Sequence, residues 1–499
     1  MIRITDTENG KVRGLPAADP RITAFKGVPF AAPPVGENRW RAPQPAANWQ
    51  GVRDCFEFAP ISVQDTPGIG TDIYCREWHV DPEIPMSEDC LYLNIWTNAK
   101  NTDEKLPVLV WFFGGGFQWG YTAEMEFDGE RIARRGIVVV TVNYRLGAFG
   151  FLCHPQLTAE QPDDPCNFGS LDQQAGIRWV KRNIANFGGD PDNITIAGQS
   201  AGGGSVMAQM SCPENDGLFN RATVMSGMFS SPYEINRFFI PLPLDQAGLL
   251  GKRLFEYLGV ETVEEARKLD ANFIRQKYSE LRNRGEMFLT IVNDGKFNVG
   301  NPMDAFLDGS RTRVPVMAGN TGDEFKETIH ADNEDQLKEL AYKYFGDRSE
   351  EFLAFPEAHV KVDGGYAPVS APEIGIKTAF MDEGRLAKPQ NCYYYRFIPD
   401  IPGEDNPGTF HSCDLWFFFE TIQKCSRPYE GRHYDIARQM CDYWCNFIKT
   451  GDPNGCDING KKLPEWKPYT DADRNEMEFT PNGAKPKTED DEFVKFLLK

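Results

Sequence analysis

The sequence has no apolar run long enough to cross a bilayer. It has no internal repeat, no low-complexity stretch and no Pro/Gly/Ser linker between blocks of different composition. Those absences exclude an integral membrane helix, a solenoid and a string of independent modules. The opening residues, MIRITDTENGKVRG, lack the apolar core of a signal peptide, so a cytoplasmic protein is expected; a secreted chain whose leader had been removed would read the same way. Positive charge is scarce relative to negative, with 53 Lys and Arg against 73 Asp and Glu, a net charge of -20 and a pI near 4.9. Such a surface repels polyanions, which argues against nucleic acid and anionic membrane as partners. Histidine is rarer still, at six, and no His/Cys cluster has metal-ligand spacing. No metal or organic cofactor is expected. The 12 cysteines are read as mostly free thiols for the compartment expected.

What is present is a hydrophobic fraction of 41% over 499 residues, enough for a large core. Short β-branched runs at Pro107–Phe113, Ile137–Tyr144, Asn193–Ala197, Ala222–Ser226, Val314–Ala318 and Cys392–Phe397 alternate with helical patterns such as Leu171–Phe187. Runs like VVVTV suit strands covered on both faces, and strand–helix alternation predicts an α/β fold with a mostly parallel sheet between helical layers. Residues 56–90, rich in Pro, Asp and Gly, read as a surface loop. Residues 231–310 read as a helical insertion, with Val263–Arg282 as one amphipathic helix. Both are placed as covers near the strand ends of a single domain.

The chemistry begins at Gly198-Gln199-Ser200-Ala201-Gly202, which follows a strand and opens a helix. This is the G-x-S-x-G nucleophile elbow, in which small flanking residues let strand and helix pass closely while the serine hydroxyl projects from the turn. Alone, the pattern has roughly a one-in-six chance of arising at random in a chain this long; its strand–helix setting argues against chance. Upstream, the strand at 107–113 runs into Gly114-Gly115-Gly116, a turn whose amides, with that of Ala201, could hold an oxyanion. A general base should follow in the chain order Ser, acid, His. His411, in a loop after the strand at 392–397, fits that place better than His330, His359 or His433, the last two reading as surface residues. The acid should come from Asp323 or Glu324, after the strand at 314–318, and residue chemistry does not separate them.

Together with Phe25–Gly36, Ser87–Trp96, Asn143–Gly147 and Asn186–Asp190, these segments resemble the type-B carboxylesterase family, which includes cholinesterases and bacterial para-nitrobenzyl esterases. The resemblance implies an α/β-hydrolase fold, a Ser200–Glu324–His411 triad, an oxyanion hole of Gly115, Gly116 and Ala201, and Ser226 as a second serine supporting the triad. It implies that Arg39 and Glu88 are a structural ion pair. Three positions depart from the family: Phe113 replaces His or Tyr, Phe325 replaces a glycine after the acid, and Ser62 replaces the usual partner of Cys90, leaving Cys75 as a candidate substitute. Phe113, Trp119 and Trp416 are the candidate pocket residues, with Phe417, Phe418 and Phe419 nearby. The reading is a serine ester hydrolase acting on a small-molecule ester. The alternatives are an amide, carbamate or lipid hydrolase with the same triad, or a non-catalytic binding protein of the adhesion type. Neither the oligomeric state nor the substrate is legible.

Overall fold

The computed structural model describes residues 1–227, Tyr233 and 240–498. Its centre is an 11-stranded sheet. In chain order the strands are β1 (Leu15–Pro16), β2 (Thr23–Pro29), β3 (Tyr92–Thr97), β4 (Leu106–Phe112), β5 (Val138–Val142), β6 (Gly189–Gln199), β7 (Arg221–Met225), β8 (Val316–Thr321), β9 (Cys392–Phe397), β10 (Glu476–Thr480) and β11 (Gly483–Lys487). Their spatial order is β11-β10-β9-β8-β7-β6-β4-β5-β3-β2-β1. Pairing is parallel from β5 through β4 to β10 and antiparallel toward both edges.

The parallel centre follows from its residues. All five residues of β5 are buried, as a strand sandwiched between two helical layers requires. In β4, Val108, Val110 and Phe112 join one hydrophobic cluster, while Leu109 and Trp111 join the cluster on the opposite face. That is the two-residue period of a strand. Each such side chain contributes about 1.5–3 kcal/mol by leaving water. The antiparallel edges were not legible: β10 and β11 are joined by a tight turn, β1 and β2 by a short loop, and β2 reaches β3 through the long segment 30–91, so no crossover helix marks them.

The chain moves from β4 to β5 on one side, then returns to place β6 on β4's other side. This reversal leaves a crevice at the carboxyl ends of β4 and β6, where open α/β sheets bind ligands. Register makes it exact in sequence terms, since Phe112 lies opposite Gly198.

Residues 56–90 carry little regular structure beyond a short helix, Ile73–Glu77, and a bridge between Ile61 and Met86. Of the expected insertion, residues 231, 232 and 234–239 lie outside the described residues. From 240 onward it holds the helices Leu244–Leu258, Val263–Arg267, Ala271–Asn283 and Pro302–Leu307. The single helix expected over Val263–Arg282 is therefore two. Thr262 and Glu265 form a capping box for the first, and the Asp270 side chain accepts from the Phe273 N–H to start the second. A second N-cap signal inside the amphipathic stretch, after the one that opens it, favours two short helices over one long one. No described helix is long and apolar enough to cross a membrane.

Candidate active site

The elbow is built by close backbone approach. A Cβ on Gly198 would lie 2.3 Å from the Gly202 carbonyl oxygen, and one on Gly202 would lie 2.1 Å from that of Phe112. Only glycine fits at either place. Between them Ser200 takes φ +57° and ψ -124°, a conformation that costs a non-glycine residue of order 1–3 kcal/mol and persists only where the surroundings impose it. The surroundings do so: the Ser200 N–H donates to the Met225 carbonyl at 2.9 Å, and its carbonyl accepts from the Gly204 N–H at 2.9 Å. The helix Ala201–Ser211 starts directly behind it.

The glycine turn at the end of β4 is held from three sides. The Tyr144 hydroxyl donates to the Phe113 carbonyl at 2.7 Å, the Gln118 and Trp119 N–H groups donate to the Gly115 carbonyl, and the Gln64 carboxamide brackets Gly120. Gly115 and Gly116 both have positive φ. Among the described residues the N–H groups of Gly115, Gly116 and Ala201 donate to no protein acceptor. Unsatisfied amides beside a strained serine can stabilise a developing oxyanion.

The acid and the histidine come from loops after β8 and β9. His411 Nδ1 is hydrogen-bonded to Glu324 Oε1, and both side chains are buried. Glu324 also accepts from the Phe325 N–H and from the Thr321 hydroxyl, each at 3.2 Å. Burial pushes its pKa up, but the adjacent His411, the Ser226 hydroxyl and the Phe325 N–H outweigh burial and hold it below the ordinary value. The Ser226 hydroxyl is buried beside this carboxylate yet, among the described residues, makes no hydrogen bond of good geometry. Asp323 serves elsewhere. Its Oδ2 accepts from the Thr409 N–H at 2.8 Å and the Thr409 hydroxyl at 2.9 Å, and its N–H donates to the Thr409 carbonyl. It thereby staples the acid's loop to the loop that presents His411.

No hydrogen bond joins Ser200 to His411 among the described residues. His411 Nε2 lies instead 3.3 Å from the Gln199 amide nitrogen. With the Nδ1 proton directed at Glu324, that amide donates to Nε2 and marks it as the acceptor nitrogen. Behind the histidine, Asp414 is buried and accepts from the Tyr395 hydroxyl at 2.8 Å. Burial, assisted by the nearby Glu324 charge, raises the Asp414 carboxyl to about 7.

Ser200, Gln199, His411 and the three glycines open on one cavity of about 980 Å³. Its walls include Trp119, Trp78, Tyr74, Phe288 and Phe325, and the loop at 56–90 supplies one side. Of the three pocket candidates, only Trp119 is there. Phe113 is 1% exposed and stacks on Tyr144 with ring centroids 4.3 Å apart, and Trp416 is fully buried and stacks on Trp78. Both belong to the core because strand alternation turns 113 away from the crevice and the helix Leu415–Phe418 packs inward. His433 is likewise buried rather than at the surface, its Nδ1 accepting the Glu430 N–H. Arg39 and Glu88 do pair, with two 2.6 Å hydrogen bonds. All 12 cysteines, Cys75 and Cys90 included, are free thiols.

Sequence reasoning missed Gln199 and Asp414. The first is hidden as the variable position of its motif. The second has a signal, a carboxylate three residues after the histidine, which the turn at 411–414 keeps near it.

The carboxylesterase family model matches residues 2–361 and 375–496. The para-nitrobenzyl esterase of Bacillus subtilis (strain 168) is 30% identical over 498 residues, spanning 95% of this chain and 94% of that one. The fumonisin B1 esterase of Sphingopyxis macrogoltabida is 32% identical, over 90% of this chain and 82% of its own. Among solved structures, a para-nitrobenzyl esterase matches with a TM-score of 0.78 at 26% identity over the whole of both chains. A Geobacillus stearothermophilus carboxylesterase at pH 6.2 matches with 0.77 at 28%, again over both whole chains. This chain belongs to the carboxylesterase family and is an enzyme of that family, a carboxylic ester hydrolase.

Proposed function

We propose that the protein cleaves its ester by a two-step acyl transfer, with Ser200 as nucleophile, His411 as general base and acid, and Glu324 as the group that orients the imidazole. His411 Nε2 takes the hydroxyl proton as Ser200 attacks the ester carbonyl. The Gln199 amide gives up Nε2 as the serine hydroxyl turns in, since such bonds are often loose before substrate binds. The oxyanion rests on the amides of Gly115, Gly116 and Ala201. The imidazolium then protonates the leaving alcohol, and water repeats the cycle on the acyl-enzyme. Glu324 holds Nδ1 in the donor tautomer and stabilises the positive ring, with Ser226 beside it. Within this reading the chain is a single hydrolase domain, with the segments at 56–90 and 231–310 covering the cavity.

The observation that carries the reading is the bond from His411 Nδ1 to Glu324, which leaves Nε2 as the acceptor on the cavity shared with the strained Ser200. Asp323 cannot take that part while committed to Thr409. The test is turnover of p-nitrophenyl acetate. Ser200→Ala should lower kcat by several orders of magnitude; activity within tenfold of wild type would sink the assignment.

A further inference from the structure

Phe325 is unused by the acyl-transfer chemistry, yet its ring packs at a tilt against the histidine that performs it. Its ring centroid lies 4.4 Å from that of His411, with 33° between the planes. It remains 55% exposed, and its exposed surface lines the catalytic cavity. Its backbone is tied to the acid, since its N–H donates to Glu324 Oε1. The ring is therefore positioned by the same short loop that positions the carboxylate.

The chemistry says what lies beside it. The departing alcohol oxygen must receive its proton from Nε2, the imidazole nitrogen not bonded to Glu324, and so must stand about 3 Å from it. The body of the alcohol extends from that oxygen along the wall that His411 shares with its neighbours. The carbonyl oxygen is held at the glycine turn, where a different pair of rings is found: a Cβ on Gly116 would meet Phe288 at 3.6 Å and Trp119 at 3.7 Å. Phe325 and the glycine turn thus border different parts of the ester. Leu415 and Ala371 add apolar surface to the lining.

We propose that Phe325, packed against His411, forms a leaving-alcohol subsite that selects esters of aromatic or branched apolar alcohols over esters of small ones. The inference rests on the triad proposed above. When the ester C–O bond breaks, the alkoxide takes the Nε2 proton while its apolar body stays against the Phe325 ring.

The test uses the full-length enzyme and two ester series. Methyl, isobutyl and benzyl acetates all pass through the same acetyl-enzyme, so differences in kcat/KM among them report the alcohol alone. Ethyl acetate, butanoate and hexanoate vary only the acyl chain. Phe325→Ala should lower the benzyl-to-methyl ratio of kcat/KM by about tenfold, within the range that apolar pockets discriminate. Phe325→Trp should keep that ratio within about twofold, and Phe325→Leu should fall between. The acyl series should move in parallel with wild type. Equal loss on every acetate would make Phe325 only a cover for the imidazole and overturn the proposal; so would a changed acyl profile with an unchanged alcohol ratio. Labelling of Ser200 by a fluorophosphonate separates the two failures. An unlabelled wild type overturns the triad, whereas a labelled enzyme with a flat alcohol ratio overturns the subsite alone.

Discussion

The two halves of the site are built by different means. The elbow and glycine turn, on β4 and β6, depend on backbones packed so closely that a single methyl group has nowhere to go. The acid and histidine, on the loops after β8 and β9, depend on side chains that meet across 87 residues of sequence. Backbone proximity demands glycine at fixed spacing and so leaves a pattern in the sequence. Side-chain convergence demands only order along the chain, and order alone leaves several carboxylates and histidines eligible.

That contrast predicts how each half fails. The largest effect belongs to the backbone half. Gly202→Ala forces a Cβ toward the Phe112 and Phe113 carbonyls and should cost about 3 kcal/mol or more, read as loss of a cooperative melting transition. Gly300→Ala, which meets nothing within 4 Å, should melt with wild type. A Gly202→Ala enzyme as stable as Gly300→Ala would remove the reason given for the motif.

The side-chain half should lose rate while keeping its fold. Glu324→Gln should lower kcat/KM by about 10³–10⁴-fold through the wrong imidazole tautomer. Asp323→Asn weakens the staple to Thr409 and should cost about tenfold or less. Equal losses at the two adjacent carboxylates would erase the distinction drawn between them.

A pH dependence belongs to neither half. The Asp414 carboxyl is raised to about 7 in the folded protein, against about 3.9 when unfolded. The folded state therefore binds the extra proton, and the associated stability is full below about pH 4 and lost as pH rises through 7. Asp414→Asn should flatten the fall in melting temperature between pH 5 and pH 8. A variant with the wild-type slope would show that Asp414 titrates normally.

Much of the fold was legible because its central strands are continuous apolar runs separated by helices, the signature of a covered parallel sheet. The antiparallel edges escaped because their connections carry no crossover helix. The helix expected over 263–282 broke at Asp270 because that residue caps a second helix within it. In the site, Ser200 and the glycines were readable from local spacing, and His411 from order. The choice of Glu324 over Asp323 came only from resemblance, since it is made physically by Thr409, 86 residues away. Phe113 and Trp416 were misplaced because an aromatic beside a motif can face the core as readily as the crevice, and only the direction of each element decides.

The central claim is that His411, held by Glu324, activates Ser200. It is tested most directly by the rate and position of fluorophosphonate modification, mapped by peptide mass. Wild type should carry the adduct on the peptide containing Ser200, Ser200→Ala should carry none, and His411→Ala should be modified at least about a hundredfold more slowly. Modification of His411→Ala at the wild-type rate would contradict the account.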